Sequence, residues 1–152
     1  MRGRLAMTKL SGVMAIAACA CLGACATHQA PNQPLCAADA SVDWTHARTI
    51  TVGLSDFEFT PDHLTLHSGQ PVRLMLSNTG SGKHDFSAPA FFAAASFRVG
   101  GTPPTAGKVS LDGNQKAEID LVPGTPGQYP LDCTEFLHDM LGMTGQITVS
   151  AQ

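Results

Sequence analysis

The sequence predicts an all-β fold of two packed sheets, on three observations. Apolar and polar residues alternate with a period of two in five separate stretches. Gly- and Pro-bearing turn signals separate those stretches. The composition, 43% hydrophobic and 14% charged over 152 residues, supports one packed core and not a disordered chain. Short strands between regular turns imply an antiparallel sandwich or barrel of roughly a hundred residues.

The N-terminal residues stand apart from that pattern. Arg2, Arg4 and Lys9 make a basic start, and Leu10 to Leu22 is an uncharged apolar run too short for a permanent span. Residues 1–24 therefore read as an export signal. Leu22-Gly23-Ala24-Cys25 resembles the bacterial lipobox, in which the cysteine becomes the lipidated first residue. Ala24-Cys25-Ala26 also fits an A-x-A cleavage site, which gives a product starting at Thr27. Either pattern places the product outside the cytoplasm, in an oxidising compartment. The lipobox reading makes it a protein anchored at Cys25 on the periplasmic side of a bacterial membrane. The other reading makes it soluble in the periplasm. From residue 25 onward, six Lys and Arg face twelve Asp and Glu, a net of −6. That balance excludes a basic nucleic-acid footprint.

Residues 25–45 carry Pro31 and Pro34 and little apolar periodicity, and read as a tether. The domain is expected over 46–152. Its alternating sets are Ile50/Val52/Leu54, Leu64/Leu66, Val72/Leu74/Leu76, Ala117/Ile119/Leu121 and Ile147/Val149. Turns are expected at Ser68-Gly69, Gly80-Ser81-Gly82, Gly100-Gly101, Asp112-Gly113, Pro123-Gly124 and Pro126-Gly127. Ala90 to Phe97 breaks the period and reads as a short helix or a buried loop packed by Phe91, Phe92 and Phe97. Phe57, Phe59 and Phe86 read as core. His63 and His67 flank Leu64 and Leu66 on a strand, where their rings stand about 13 Å apart, too far to share one ion. His28 and His46 suggest no site.

The chemistry concentrates near the C-terminus. Cys133, His138 and Met143 follow at five-residue steps, C-x4-H-x4-M, where one strand ends and the next begins. A single tight loop can thus converge a thiolate, an imidazole and a thioether. These are three of the four ligands of a mononuclear electron-transfer copper centre, which uses two His and one Cys in a plane with a weak axial Met. The best source of the second imidazole is His84, just after the Gly80-Ser81-Gly82 loop. Met140 is a rival axial ligand, but two residues after His138 leave little chain to turn back. A disulfide between Cys133 and Cys36 is the competing reading for the thiol, and it leaves the spacing of His138 and Met143 without a reason.

With these residues in view, the sequence resembles the cupredoxins, the plastocyanin–azurin family of small blue copper proteins. Phe57-Glu58-Phe59 to Pro61, Leu66 through Gly69 to Val72, His84 after its Gly-rich loop, and the Cys133 to Gly145 loop carry the likeness over residues 46–152. The resemblance implies a Greek-key β-sandwich, here with a short helix or ordered loop inserted near residues 90–105. It implies one copper ion, cycling between Cu(I) and Cu(II), on His84, Cys133, His138 and Met143. It also implies electron exchange through the ring edge of His138 with redox protein partners docking around it, on an apolar patch that includes Leu137, Met140 or Leu141. Phe136 and these neighbours would exclude water. Asp85 resembles the polar residue that braces the ligand loops. No hydrolase, metalloprotease, P-loop or dinucleotide motif is present. Four protein ligands also leave no open position for a substrate, so the expectation is a carrier and not an enzyme. The alternative is a protein that binds, buffers or delivers copper. A Cys in the ligand plane and only three Met from residue 25 onward favour the carrier.

Overall fold

In the computed structural model, residues 36–38, 40–135 and 142–152 are described. The expected export signal, Cys25, Met140 and His138 lie outside these residues. So do Phe136, Leu137 and Leu141. Two sheets pack face to face, and among the described residues there is one short α-helix and one 3-10 turn at Trp44–His46.

The larger sheet contains β1 (Cys36–Ala37), β2 (Arg48–Ser55), β3 (Glu58–Thr60), β5 (Val72–Asn78), β7 (Ala95–Phe97) and β9 (Lys116–Pro123), ordered β1-β7-β9-β5-β2-β3. The smaller contains β4 (His63–His67), β6 (His84–Ser87), β8 (Lys108–Leu111), β10 (Gly127–Asp132) and β11 (Thr144–Ser150), ordered β4-β11-β10-β6-β8. All five alternating sets lie in strands. Val72, Leu74 and Leu76 face the core, as do Val52 and Leu54, Leu64 and Leu66, Ile119 and Leu121, and Ile147 and Val149.

The expected antiparallel pairing is corrected in three places: β2 with β5, β4 with β11, and β1 with β7 run parallel. The first two follow from the route of the chain. After the β2–β3 hairpin it crosses to the other sheet as β4, then returns to lie beside β2 as β5. A strand that leaves the sheet and comes back can pair parallel, whereas a direct hairpin cannot. The third concerns Cys36–Ala37, which falls within the stretch expected as a tether. Its backbone covers the edge of β7, and the Ala38 N–H donates to the Phe97 carbonyl at 2.8 Å. Covering such an edge removes a template for unwanted pairing.

The break in period at 90–97 is α1 (Pro89–Ala93) followed by β7. Pro89 suits the first helical turn because its missing N–H needs no partner there. Phe91 and Phe92 are buried and extend an aromatic chain through the core. Phe92 lies 5.9 Å from Phe86, which lies 5.9 Å from Phe59. Phe91 meets Tyr129 edge-on at 5.8 Å, an arrangement that aromatic quadrupoles favour. This packing fixes β6 and β10, the strands that carry His84 and lead into Cys133.

Candidate metal centre

β6 and β10 are antiparallel neighbours, with Asp132 opposite Ser87. The first residue of β6 and the residue after β10 therefore lie at the same end of the sandwich. His84 and Cys133 occupy those positions. The His84 Nδ1 and the Cys133 Sγ are 4.0 Å apart, and both residues are buried. Met143 closes the loop. Its carbonyl accepts from the Cys133 N–H at 3.1 Å, and its side chain is fully buried in the same core. Two strands joined by their first and last loop residues thus bring a thiol and a thioether to one place.

The donor set fits a copper ion. A first-row ion bound about 2.0 Å from an imidazole nitrogen and about 2.3 Å from a thiolate, at a trigonal angle, separates the donors by roughly 3.7 Å. The observed 4.0 Å is close to that. Thiolate, imidazole and thioether together are the soft and borderline ligands that copper prefers. Among the described residues no trio of His, Cys, Asp and Glu gathers at one point. The second imidazole would come from His138, outside those residues.

Without a metal, the buried thiol holds its proton more tightly than a free one. Burial pushes the Cys133 thiol up from its ordinary range, partly offset by backbone N–H donors and reinforced by the Asp85 and Glu135 carboxylates. One of those donors, the Asp85 N–H, lies 3.4 Å from the sulfur. A metal must therefore displace the proton, and the N–H then supports the thiolate. Cys36 and Cys133 are not joined to each other by a disulfide; Cys36 lies in the edge strand of the larger sheet.

Asp85 braces the loops, as expected. Its side chain is 0% exposed. Oδ1 accepts from the Thr134 N–H at 2.7 Å, and Oδ2 accepts from the Thr134 hydroxyl at 2.5 Å and the Lys108 ammonium at 3.0 Å. The Asp85 hydrogen bond, then its charge, hold the Lys108 pKa above the ordinary range for lysine. A second ion pair, Lys83 to Glu135 at 3.4 Å, crosses the same two segments nearer the surface.

Three contributors escaped the sequence reading: Asn78, Thr134 and Lys108. Asn78 had a legible signal, because it continues the inward phase of Val72, Leu74 and Leu76 as a polar residue. Its amide donates to the carbonyls of Gly82, Leu111 and Asp112 at 2.8, 3.0 and 3.1 Å, and its oxygen accepts from the Gly80 N–H at 2.9 Å. It ties β5, the Gly-rich loop and the end of β8 together. A Cβ added at Gly80 would stand 3.2 Å from the His84 Nε2, so a side chain there would press on the ring. His63 and His67 are exposed on β4 with separate partners, Asp62 and Ser150, in keeping with their expected role on the solvent face.

The profile of a cupredoxin-like domain matches residues 13–149. The chain belongs to the cupredoxin-like family. Solved structures agree on the fold. Dithionite-reduced auracyanin from Roseiflexus castenholzii superposes with a TM-score of 0.53 at 19% identity, covering 68% of this chain and 98% of that one. Auracyanin B gives 0.54 at 21%, covering 72% and 93%. Auracyanin A from Chloroflexus aurantiacus, described as a "blue" copper protein, gives 0.50 at 20%, covering 67% and 98%. No curated protein matches. At these identities the likeness carries the cupredoxin fold, and the site rests on this chain's own residues.

Proposed function

We propose that this protein carries single electrons on one copper ion held by His84, Cys133, His138 and Met143. The observation that supports it most is the 4.0 Å approach of a buried imidazole nitrogen to a buried thiol sulfur beside a buried thioether, in a cupredoxin-like fold. The fold relatives include a "blue" copper protein.

Bound copper supplies a one-electron Cu(I)/Cu(II) couple. The protein's residues supply the rest. The pairing of His84 with β8 and the Cys133 N–H bond to the Met143 carbonyl hold the donors, so they need not rearrange between valence states. Burial keeps water from the sulfur, and the Asp85 N–H stabilises its charge. Electron exchange with redox partners would run through His138. The protein is exported and anchored by a lipid at Cys25 on the periplasmic side of a bacterial membrane, with the acidic domain facing solution.

Two measurements test this. Cu(II) added to purified protein should give an intense visible thiolate-to-copper band that bleaches with reductant. A colourless complex would reject the electron carrier and leave copper storage or delivery as the reading. The mass of the mature N-terminus should show acyl chains on Cys25; an unmodified start at Thr27 rejects the anchor.

A further inference from the structure

We infer that Lys108, delivered by the segment between α1 and β8, is a positioning residue that locks the Cys133 loop to the His84 strand. Its Nζ donates to the Asp85 Oδ2 at 3.0 Å and to the Thr134 Oγ1 at 2.9 Å. Asp85 follows His84, and Thr134 follows Cys133. One ammonium thus joins the residue after each of two proposed ligands. Its consequence for copper rests on the function proposed above.

The chain upstream of Lys108 is built to aim it. Thr105 and Lys108 exchange backbone hydrogen bonds at 3.0 and 3.1 Å around Ala106 and Gly107, whose φ values are 51° and 73°. Two left-handed residues inside such a pair make the tight turn that enters a strand with the right twist. The turn is pinned to the helix. The Gly107 carbonyl accepts from the Ala88 N–H at 3.1 Å, and a Cβ on Gly107 would stand 2.6 Å from the Pro89 Cα. Phe91 and Phe92 fix that helix in the core. From there the β6–β8 register sets Ser110 opposite Asp85 and Lys108 opposite Ser87. Lys108 is then the diagonal neighbour of Asp85, within reach of a long side chain. The insertion between residues 90 and 107 thereby acquires a role: it carries a cation to a buried carboxylate. Leaving a buried carboxylate without a cation is costly, so the Lys108 contact offsets the burial of Asp85 and keeps Thr134 docked upon it.

The test compares Lys108→Met, Lys108→Arg and Lys116→Met, the last removing an equal charge from an exposed site. Amide hydrogen exchange is measured on metal-free protein, and chelator-driven Cu(II) release on loaded protein. In Lys108→Met the Thr134 amide should exchange roughly tenfold faster, with Leu74 and Leu76 unchanged. Copper release should accelerate with it, Lys108→Arg should restore both, and Lys116→Met should change neither. In an Asp85→Asn background, Lys108→Met should add less than it does alone, since only its bond to the Thr134 hydroxyl is left to lose. A wild-type Thr134 exchange rate in Lys108→Met, or an equal effect from Lys116→Met, overturns the inference. Failure of the unaltered protein to take up copper sinks the proposed function instead, and the exchange comparison still decides the role of Lys108.

Discussion

Cys133→Ser should fold and yet lose the visible charge-transfer band completely. The hydroxyl occupies nearly the same volume at a fully buried position, and the Asp85 N–H that approaches the sulfur at 3.4 Å can donate to an oxygen. The cost to the metal-free fold is therefore small, about 1 kcal/mol. The cost to the site is large, because a serine oxygen is a hard donor that stays protonated where a metal-bound thiol does not, and Cu(I) binds it poorly. Met143→Leu makes the contrast. It keeps the thiolate and the imidazole and removes only the thioether, so the band should persist while the reduction potential moves. The measurement is a visible spectrum and a redox titration of the three proteins side by side. Persistence of the band in Cys133→Ser would show that the thiol is not the ligand.

Much of this was legible in the sequence because two local signals are strong. A strand with one buried face writes its own alternation, so β2, β4, β5, β9 and β11 could be read residue by residue. The C-x4-H-x4-M spacing likewise compresses three ligand types into one loop. What was lost is what burial on both faces erases. His84 to Ser87 is buried at four consecutive positions, so β6 shows no period of two, although it carries a proposed ligand. The three-residue β3 and β7 are too short to show any period. Parallel pairing of β2 with β5 depends on a crossing between sheets, which no local pattern records. Lys108 illustrates the limit best. Nothing around it in sequence announces a partner, because its partner is chosen by the β6–β8 register and by a helix packed elsewhere. Asn78 is the opposite case: a polar residue in an apolar phase is visible, but its bonds to Gly82, Leu111 and Asp112 are not.

Asn78→Ala should be the most damaging single change outside the ligands. The amide is 1% exposed and makes four hydrogen bonds, three of them to carbonyls from two other segments. Alanine removes both donor hydrogens and the acceptor without admitting an equivalent partner for those groups. Losing a buried, multiply bonded amide costs about 2–4 kcal/mol, since the abandoned carbonyls lose a donor that solvent cannot readily replace. For a domain near a hundred residues that lowers Tm by roughly 10–20 °C. The effect should also reach the metal. The Gly80 N–H is fixed by the Asn78 oxygen, and Gly80 packs against the His84 ring, so freeing the Gly-rich loop removes one wall of the imidazole. Copper retention should fall together with stability in Asn78→Ala. Asn78→Asp separates the two contributions, because its carboxylate still accepts from Gly80 while facing three carbonyls with no hydrogen to offer. It should be at least as unstable as the alanine variant. A denaturant titration that finds Asn78→Ala within about 1 kcal/mol of the unaltered protein would mean that the two sheets are joined at this end by packing alone.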